Sequence, residues 1–451
     1  MKNKTGQLRQ IVLIAMMLIL CFGIYISSKG GYMVHYGLLL PMGMMLIARN
    51  FSEDGLPSGS PMRWAAASGV VCLAALMFTG LRSSRWTEQI LMGWCVVVYS
   101  LFVMGMPRKA KAEELRDEFM HVGGLFTCLY LPFALLALVS VFTGRVFNLP
   151  LVGEPFGIRT AGANGERIRI FMHPNGTSQY AMLIIIFAIY AIMNHRSRAA
   201  KAFYAFNILV NLLVMAHAQS RTSNVALGGA LGMMAFRAVW LCPKLRKVWL
   251  RAAVGVLVAA IVLVSAIECV SWIYKFDVGM TTEQTASEVV SRTAASNQDD
   301  ISGRGRIWGN AVGYIADHPE KLIAGMGVSR MKTMSKEREV LQPFGTVHNS
   351  FLEVLAMCGL PALICVVGLL CSLVRPALRV WLAPKREGMP GMFLFPTLMA
   401  MMLAISMMES SLFVNPWQGN FFFYLVCGYT LHCDALMKRG EFQKRETAHK
   451  D

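Results

Sequence analysis

Long apolar runs, separated by short polar or basic segments, recur along the whole chain. Runs of about 17 to 25 apolar residues are long enough to cross a hydrocarbon core of roughly 30 Å as α-helices. The pattern predicts an all-α integral membrane protein with about twelve transmembrane helices. Their predicted positions are 11–28, 33–48, 64–81, 90–106, 120–142, 176–194, 202–218, 222–240, 248–268, 348–374, 391–412 and 417–436.

Composition and charge support this class and add an orientation. Hydrophobic residues make up 55% of the chain and charged residues 15%, well below the roughly 25% of a soluble domain. Basic residues concentrate in alternate connectors, namely 107–116, 194–201, 243–251, 375–386 and 437–450. Because Lys and Arg mark cytoplasmic loops, both termini are predicted to lie inside. The net charge of +17 is then a topology signal, and it predicts no nucleic-acid partner.

Two segments on the predicted outer side, 143–175 and 269–347, are longer than simple connectors. Loops longer than about 15 residues tend to be functional or disordered, so we expect the chemistry to lie on this side. The chain is expected to divide into five parts. They are N-terminal membrane helices (1–142), an outer loop with helices six to nine (143–268), a large outer loop (269–347), helices ten to twelve (348–436) and a basic cytoplasmic tail (437–451).

The large loop contains the stretch SGRGRIWGNAVGYIADHP, residues 302–319. Its apolar residues recur at the spacing of one helical face and end at a proline, which predicts a short amphipathic helix on the outer membrane face or over the bundle. Arg304 and Arg306 stand at the start of this helix. Since a helix N-terminus favours anions, the two guanidinium groups predict a diphosphate or carboxylate site. Contact with solvent or with lipid headgroups is the alternative.

Two further outer segments carry polar residues beside apolar runs. Arg221 lies in the very short connector AQSRTSNVALGG, residues 218–229. An arginine at membrane depth is costly unless it faces a polar cavity or a partner, although it can also extend to the interface. In FMHPNGTSQ, residues 171–179, Pro174 and Asn175 are interpreted as a turn and a helix N-cap, and His173 as an interface residue.

A histidine stands where the tenth apolar run begins. His348 and Asn349 open this run, and Glu353 follows after about one helical turn. An imidazole that titrates near neutral pH suits the task of a general base. The other signals of chemistry are absent: the eleven cysteines form no CxxC pair, and the chain has no Walker loop, GxGxxG, DxD or HExxH motif. We therefore predict neither a metal nor a cofactor.

The stretch SGRGRIWGNAVGYIADHPEKLIAGMGVSRM, followed by HNSFLEVLAMCGL, resembles the shared region of the O-antigen ligase and O-antigen polymerase superfamily. The matching pattern is an Arg-containing helix start, His-Pro, a GxG turn, and then His-Asn with a glycine eleven residues after the histidine, here Gly359. Ser-Arg-Thr at 220–222 also resembles a family element, and the resemblance extends over roughly 170–375. It implies a membrane glycosyltransferase of the bacterial inner membrane with its active site facing the periplasm.

The resemblance also implies roles for individual residues. Arg221 and one of Arg304 or Arg306 would hold the diphosphate of an undecaprenyl-linked glycan donor, and His348 would act on the acceptor hydroxyl. Further candidates for substrate binding are Arg169, His173, Asn349 and Glu353. The acceptor would be lipid A-core in a ligase of lipopolysaccharide biosynthesis, another lipid-linked glycan in a polymerase, or a protein. Val225 and Ala362 depart from the ligase pattern, so the choice among these acceptors stays open.

Physical chemistry is consistent with these roles. A sugar joined to a lipid diphosphate has a good leaving group, and two arginines stabilise its developing charge without metal or ATP. The alternatives of another class are a twelve-span transporter or a lipid-linked glycan flippase. Transporters of the major facilitator type have their long middle loop inside, between spans six and seven, whereas that connector is short here. A non-catalytic scaffold would not gather Arg and His at one leaflet.

Overall fold

The computed structural model describes most of the chain. The described residues are 4–18, 59–81, 86–106, 110–143, 147–148, 155–160, 166–170, 174–277, 304–327, 347–384, 390–414 and 418–441.

Helices dominate the described chain. In chain order they are α1 (Lys4–Leu18), α2 (Ser60–Gly80), α3 (Trp86–Val98), α4 (Ala112–Thr143), α5 (Pro174–Asn194), α6 (Arg198–Ala218), α7 (Arg221–Trp240), α8 (Val248–Asp277), α9 (Arg304–Asp317), α10 (Lys321–Ala324), α11 (Ser350–Leu382), α12 (Leu394–Ser406) and α13 (Gln418–Lys438). A π-helical turn at Tyr99–Val103 continues α3. Three short antiparallel strands, β1 (Phe147–Asn148), β2 (Pro155–Thr160) and β3 (Glu166–Arg169), pair in the order β1-β2-β3. The hydrophobic pattern did not predict these strands.

Every predicted span except the second overlaps one of these helices, and the second, 33–48, lies outside the described residues. Six described helices are long and apolar enough to cross a membrane: α2, α4, α5, α6, α8 and α11. The chain is therefore a helical protein with the features of an integral membrane protein. The count of twelve spans and the periplasmic position of the large loop stay predictions. The amphipathic helix predicted within 302–319 is confirmed as α9.

An aromatic cluster joins the helices that carry the outer polar residues. The ring of Phe119 on α4 makes edge contacts with Phe187 and Tyr190 of α5, Phe395 of α12 and Tyr429 of α13, at centroid distances of 4.9 to 5.4 Å. Edge-to-face pairs of this kind are favoured by the ring quadrupoles and are sensitive to position. The cluster therefore fixes α5 and α12 relative to each other.

A buried ion pair joins the helix ends on the predicted cytoplasmic side. The guanidinium of Arg9 lies 3.1 Å from the Glu118 carboxylate and donates to three carbonyls at the end of the π-helical turn. The Tyr429 hydroxyl donates to the same carboxylate at 2.9 Å. Carbonyls at a helix end have no partner within the helix, so Arg9 satisfies them while it connects α1 with α4.

Two glycines let the turn after α10 pack against α11. Helix α11 is interrupted at Gly359, which has φ of +83°. A Cβ atom at residue 359 would lie 2.5 Å from the Ile323 carbonyl oxygen, and one at Gly325 would lie 2.3 Å from the Met357 carbonyl. The Met326 N–H donates to a carbonyl of α11 at 2.7 Å. The glycine eleven residues after His348 therefore has a structural reason, since it lets α10 lie close to α11.

Replacing Gly359 by alanine should destabilise the protein, because alanine is strained at this φ and its Cβ would overlap the Ile323 carbonyl. A residue other than glycine in such a backbone region costs about 1–3 kcal/mol. The thermal unfolding midpoint of the detergent-solubilised protein measures the effect. Gly229→Ala is the matched control, because nothing lies within 4 Å of its added Cβ. Equal midpoints for the two variants would contradict the close docking of α10 on α11.

Candidate active site

Glu409, in the turn that follows α12, lies at the centre of a cluster of polar side chains. Its Oε1 atom accepts hydrogen bonds from Arg304 Nη2 at 2.5 Å and from Asn175 Nδ2 at 2.8 Å. Its Oε2 atom lies 3.2 Å from His348 Nδ1. The carboxylate side chain is only 11% exposed. It therefore joins residues from α5, α9 and the start of α11.

The charges around Glu409 keep its carboxyl group ionised. Burial alone would raise its pKa, but the hydrogen bond with His348, the charge of Arg304 and the hydrogen bond from Asn175 outweigh burial and leave the pKa below its usual value. Since an ionised carboxylate only accepts hydrogen bonds, the Nδ1 atom of His348 carries the proton in this contact. In the neutral imidazole the other nitrogen, Nε2, is then the basic one.

The backbone at His348 is held in an unusual conformation. Its φ of +51° lies in the left-handed region, which a non-glycine residue adopts only when its surroundings impose it. Trp308 of α9 donates to the preceding carbonyl, Val347 O, at 3.1 Å. On the other side, Asn349 caps α11 by accepting from two N–H groups at 3.0 Å, and it donates to Met407 O at 3.0 Å. The imidazole is thus fixed between two anchored neighbours, with its side chain 25% exposed.

Ser350 ties the start of α11 to the turn that contains Glu409. Its hydroxyl donates to the Glu409 carbonyl at 2.9 Å and accepts from the N–H groups of Ser411 and Leu412 at 3.1 Å. These bonds involve the backbone of the turn and not the Glu409 carboxylate. The Ser350 hydroxyl therefore holds the segments that carry His348 and Glu409 together without using the Glu409 carboxylate.

Arg304 connects this cluster to the first turn of α7. Its Nη1 atom lies 3.4 Å from Thr222 Oγ1, while Nη2 binds Glu409. Arg221 is the residue before Thr222; it is exposed and takes part in no ion pair with the residues that the structure describes. Ser220 caps α7. The N–H groups of a first helical turn attract anions, so this corner combines two guanidinium groups with a helix N-terminus.

Arg167 of β3 holds the connector before α7 in place. It donates to the carbonyls of Ala218 and Gln219 at 2.6 to 3.1 Å and to Asn175 Oδ1 at 3.1 Å. Gln219 is in the left-handed region, with φ of +51°. The small sheet therefore reaches the site through Arg167, which supports both the start of α7 and the amide that binds Glu409.

The structure brings the predicted catalytic candidates His348 and Arg304 to one carboxylate and leaves Arg221 exposed one residue from the Arg304 contact. Asn349, a predicted substrate-binding residue, uses its amide to cap α11. Glu353 is 2% exposed, and its Oε2 atom has no hydrogen-bond partner in the described part of the chain. His173 lies outside the described residues. Only the backbone of Arg169 and Arg306 is described, so the predicted roles of these three side chains stay predictions.

Two features of the site differ from the sequence predictions. Asn175 was predicted to be an N-cap, but α5 begins at Pro174, and the Asn175 amide binds Arg167 and Glu409 instead. The eleventh predicted span extends to residue 412, whereas α12 ends at Ser406. The apolar run continues past the helix end because the turn that follows contains Met407, Met408 and the buried Leu412, and hydrophobicity alone does not distinguish such a turn from a helix.

Glu409 was the residue that sequence reasoning missed. Its signal was present, since MMESSL places a single carboxylate within an otherwise apolar run. An ionisable residue in such a run is by default a candidate for function. Within the described residues no three His, Cys, Asp or Glu side chains are grouped so that they could hold a metal ion. Metal-independent catalysis stays a prediction.

Residues 206–367 match a family model described as O-antigen ligase. The matched region contains Arg221, Arg304 and His348, and Glu409 lies beyond it. No curated protein matches the chain. The resemblance to the O-antigen ligase and polymerase superfamily is confirmed by the family match, and activity of this general type is therefore supported.

Proposed function

We propose that the chain transfers a glycan from an undecaprenyl-diphosphate-linked donor to an acceptor hydroxyl, and the match of residues 206–367 to the O-antigen ligase family model supports this proposal. The proposed acceptor is lipid A-core, and the proposed location is the periplasmic face of the bacterial inner membrane. One observation carries this proposal: Arg304 contacts both Thr222, the neighbour of Arg221, and Glu409, the partner of His348. A cationic corner and a histidine base therefore belong to one cluster.

The cationic corner is the proposed donor site. Arg304 contacts Thr222 in the first turn of α7, next to Arg221, so two arginines lie at the N-terminus of one helix. Planar guanidinium groups bind phosphate oxygens through two parallel hydrogen bonds. As the glycosidic bond breaks, negative charge grows on the leaving diphosphate, and positive groups already in place stabilise it.

His348 is the proposed general base. The acceptor hydroxyl would give its proton to Nε2, and its oxygen would form a bond with the anomeric carbon of the donor glycan. The bond between that carbon and the diphosphate oxygen breaks at the same time, and undecaprenyl diphosphate leaves with the electron pair. No nucleotide enters this balance, because the donor already contains the leaving group.

The distribution of contacts supports an outward-facing site. His348, Glu409, Arg304 and Arg221 all belong to segments that the basic-residue pattern assigns to the outside. The predicted inner segments meet one another in a separate set of contacts, such as Arg237 with the carbonyls of Trp381 and Ala383 at 2.5 Å. A site on the outer side would leave the polyprenyl chain in the bilayer while the glycan reaches water.

Purified protein in proteoliposomes, supplied with lipid-linked glycan and lipid A-core, should produce glycan-modified lipid A-core in buffer with EDTA. The products are separated by electrophoresis and detected through the glycan. Elongation of the lipid-linked glycan in the absence of lipid A-core would instead identify a polymerase. A strict requirement for magnesium or manganese would contradict the arginine-based stabilisation, and no transfer to any hydroxyl acceptor would contradict the proposed function.

A further inference from the structure

We propose that Glu409 is a positioning residue of the transfer reaction, which holds the His348 imidazole with Nδ1 protonated so that Nε2 serves as the base. This inference rests on the proposed function and adds a residue that the family region at 206–367 does not contain.

The two oxygen atoms of Glu409 have separate partners. Oε2 lies 3.2 Å from His348 Nδ1, whereas Oε1 accepts from Arg304 and Asn175. A base that is held by a third group through its other nitrogen is the usual arrangement for activating a hydroxyl. The occupied Oε1 atom keeps the carboxylate from rotating away from His348. Arg304 and Asn175 therefore orient the group that orients the base.

The charged and titratable groups around this pair come from several elements. Arg304 reaches Glu409 from α9, and Arg167 of β3 acts through the Asn175 amide. Glu353 of α11 interacts electrostatically with His348. Glu409 is the carboxylate that contacts the imidazole, and it directly stabilises the protonated ring that forms when the acceptor gives up its proton.

Removal of the charge can be separated from loss of the fold. Ser350 holds the turn through the backbone of residues 409, 411 and 412, so these bonds remain when the carboxylate changes. Glu409→Gln keeps the shape of the side chain and removes its charge. Glu409→Asp keeps a charge on a shorter side chain. Glu320→Gln is a matched control. The Glu320 side chain is 61% exposed and follows the C-terminal end of α9, whereas Arg304 lies at its N-terminal end.

Glu409→Gln should lower kcat by at least about 10-fold, and at most by the 10²- to 10⁴-fold expected for losing the base itself. The negative charge of Glu409 stabilises the protonated His348 ring. Without that charge the ring loses its proton at lower pH, so the low-pH limb of the kcat profile should move to lower pH by about one unit or more. Glu409→Asp should recover part of kcat and return the limb towards its wild-type position. Glu320→Gln should leave both measurements unchanged.

The double variant His348→Ala/Glu409→Gln provides a second test. If Glu409 acts through His348, the double variant should be no slower than His348→Ala alone, because residues that act as a unit are not additive. Any of three results would overturn the inference. The double variant could show a multiplied loss, Glu409→Gln could keep a kcat within about twofold of wild type, or the low-pH limb could stay unmoved in both Glu409→Asp and Glu409→Gln. If Glu409→Gln does not fold, the same cycle with Glu409→Asp decides: His348→Ala/Glu409→Asp should be no slower than His348→Ala alone, and a multiplied loss would overturn the inference. Failure of the proposed function is distinct, since the wild-type protein itself would then transfer no glycan.

Discussion

Replacing His348 by alanine should lower kcat for glycan transfer by about 10²- to 10⁴-fold, the usual contribution of a general base. The protein should still insert into the membrane, because the neighbouring anchors at Val347, Asn349 and Ser350 do not involve the imidazole. The measurement is the rate of product formation by purified protein at saturating donor. His121→Ala, which removes an exposed histidine of α4, is the control.

The left-handed backbone at His348 requires a second variant. Alanine is strained at φ of +51°, so a loss of stability could imitate a loss of the base. Asparagine tolerates this conformation better than most residues and cannot act as a base near neutral pH. His348→Asn should therefore keep the thermal unfolding midpoint close to that of the wild type and still lose the activity. A loss below about 10-fold in His348→Asn would mean that the histidine only orients the chain.

Arg304→Lys should lower kcat/KM by roughly 10- to 150-fold, although the charge is kept. The guanidinium contacts Thr222 with one nitrogen and Glu409 with another, and a single ammonium group cannot reproduce this fork. A hydrogen bond to a charged group contributes about 1.5–3 kcal/mol, and this energy corresponds to the stated range. Transfer rates at varied donor concentration give the effect.

Arg221→Lys provides the complementary measurement. Arg221 is exposed and has no ion-pair partner in the described part of the chain. Its replacement by lysine should therefore lower donor turnover without changing the unfolding midpoint. Arg198→Lys is closely matched: Arg198 is also exposed and also begins a helix after a capping serine, at the predicted cytoplasmic end. Wild-type activity in both Arg221→Lys and Arg304→Lys would show that these arginines bind lipid headgroups and not the donor.

Much of the fold was predictable because it depends on local hydrophobicity. Each predicted apolar run that the structure describes contains a helix, and the spacing of apolar residues within 302–319 predicted α9. The strands were not predicted, since β1 has only two residues and β3 only four. Although β2 has six residues, it contains Pro155 and Gly157, residue types that are depleted in strands.

The roles of individual polar residues were predictable only in part. The sequence identifies His348, Arg221 and Arg304 as candidates, because each is an ionisable residue beside an apolar run. Asn349 and Asn175 could not be assigned in the same way, because an amide caps a helix or binds a distant side chain with the same chemical groups. The structure assigns Asn349 to the cap of α11 and Asn175 to the contact between Arg167 and Glu409.

The sequence by itself determined the membrane character, the approximate positions of the helices, the resemblance to the O-antigen ligase and polymerase superfamily and the main catalytic candidates, because each of these depends on residues close together in the chain. Only the tertiary structure decided which candidates share a site. Glu409 is 61 residues from His348 and 105 residues from Arg304, and no local pattern relates positions so far apart. Their meeting depends on how α5, α9, α11 and α12 pack. That packing depends on contacts between distant residues, such as those of Phe119 with α5 and α12 and of Trp308 with Val347 O, rather than on hydrophobic periodicity.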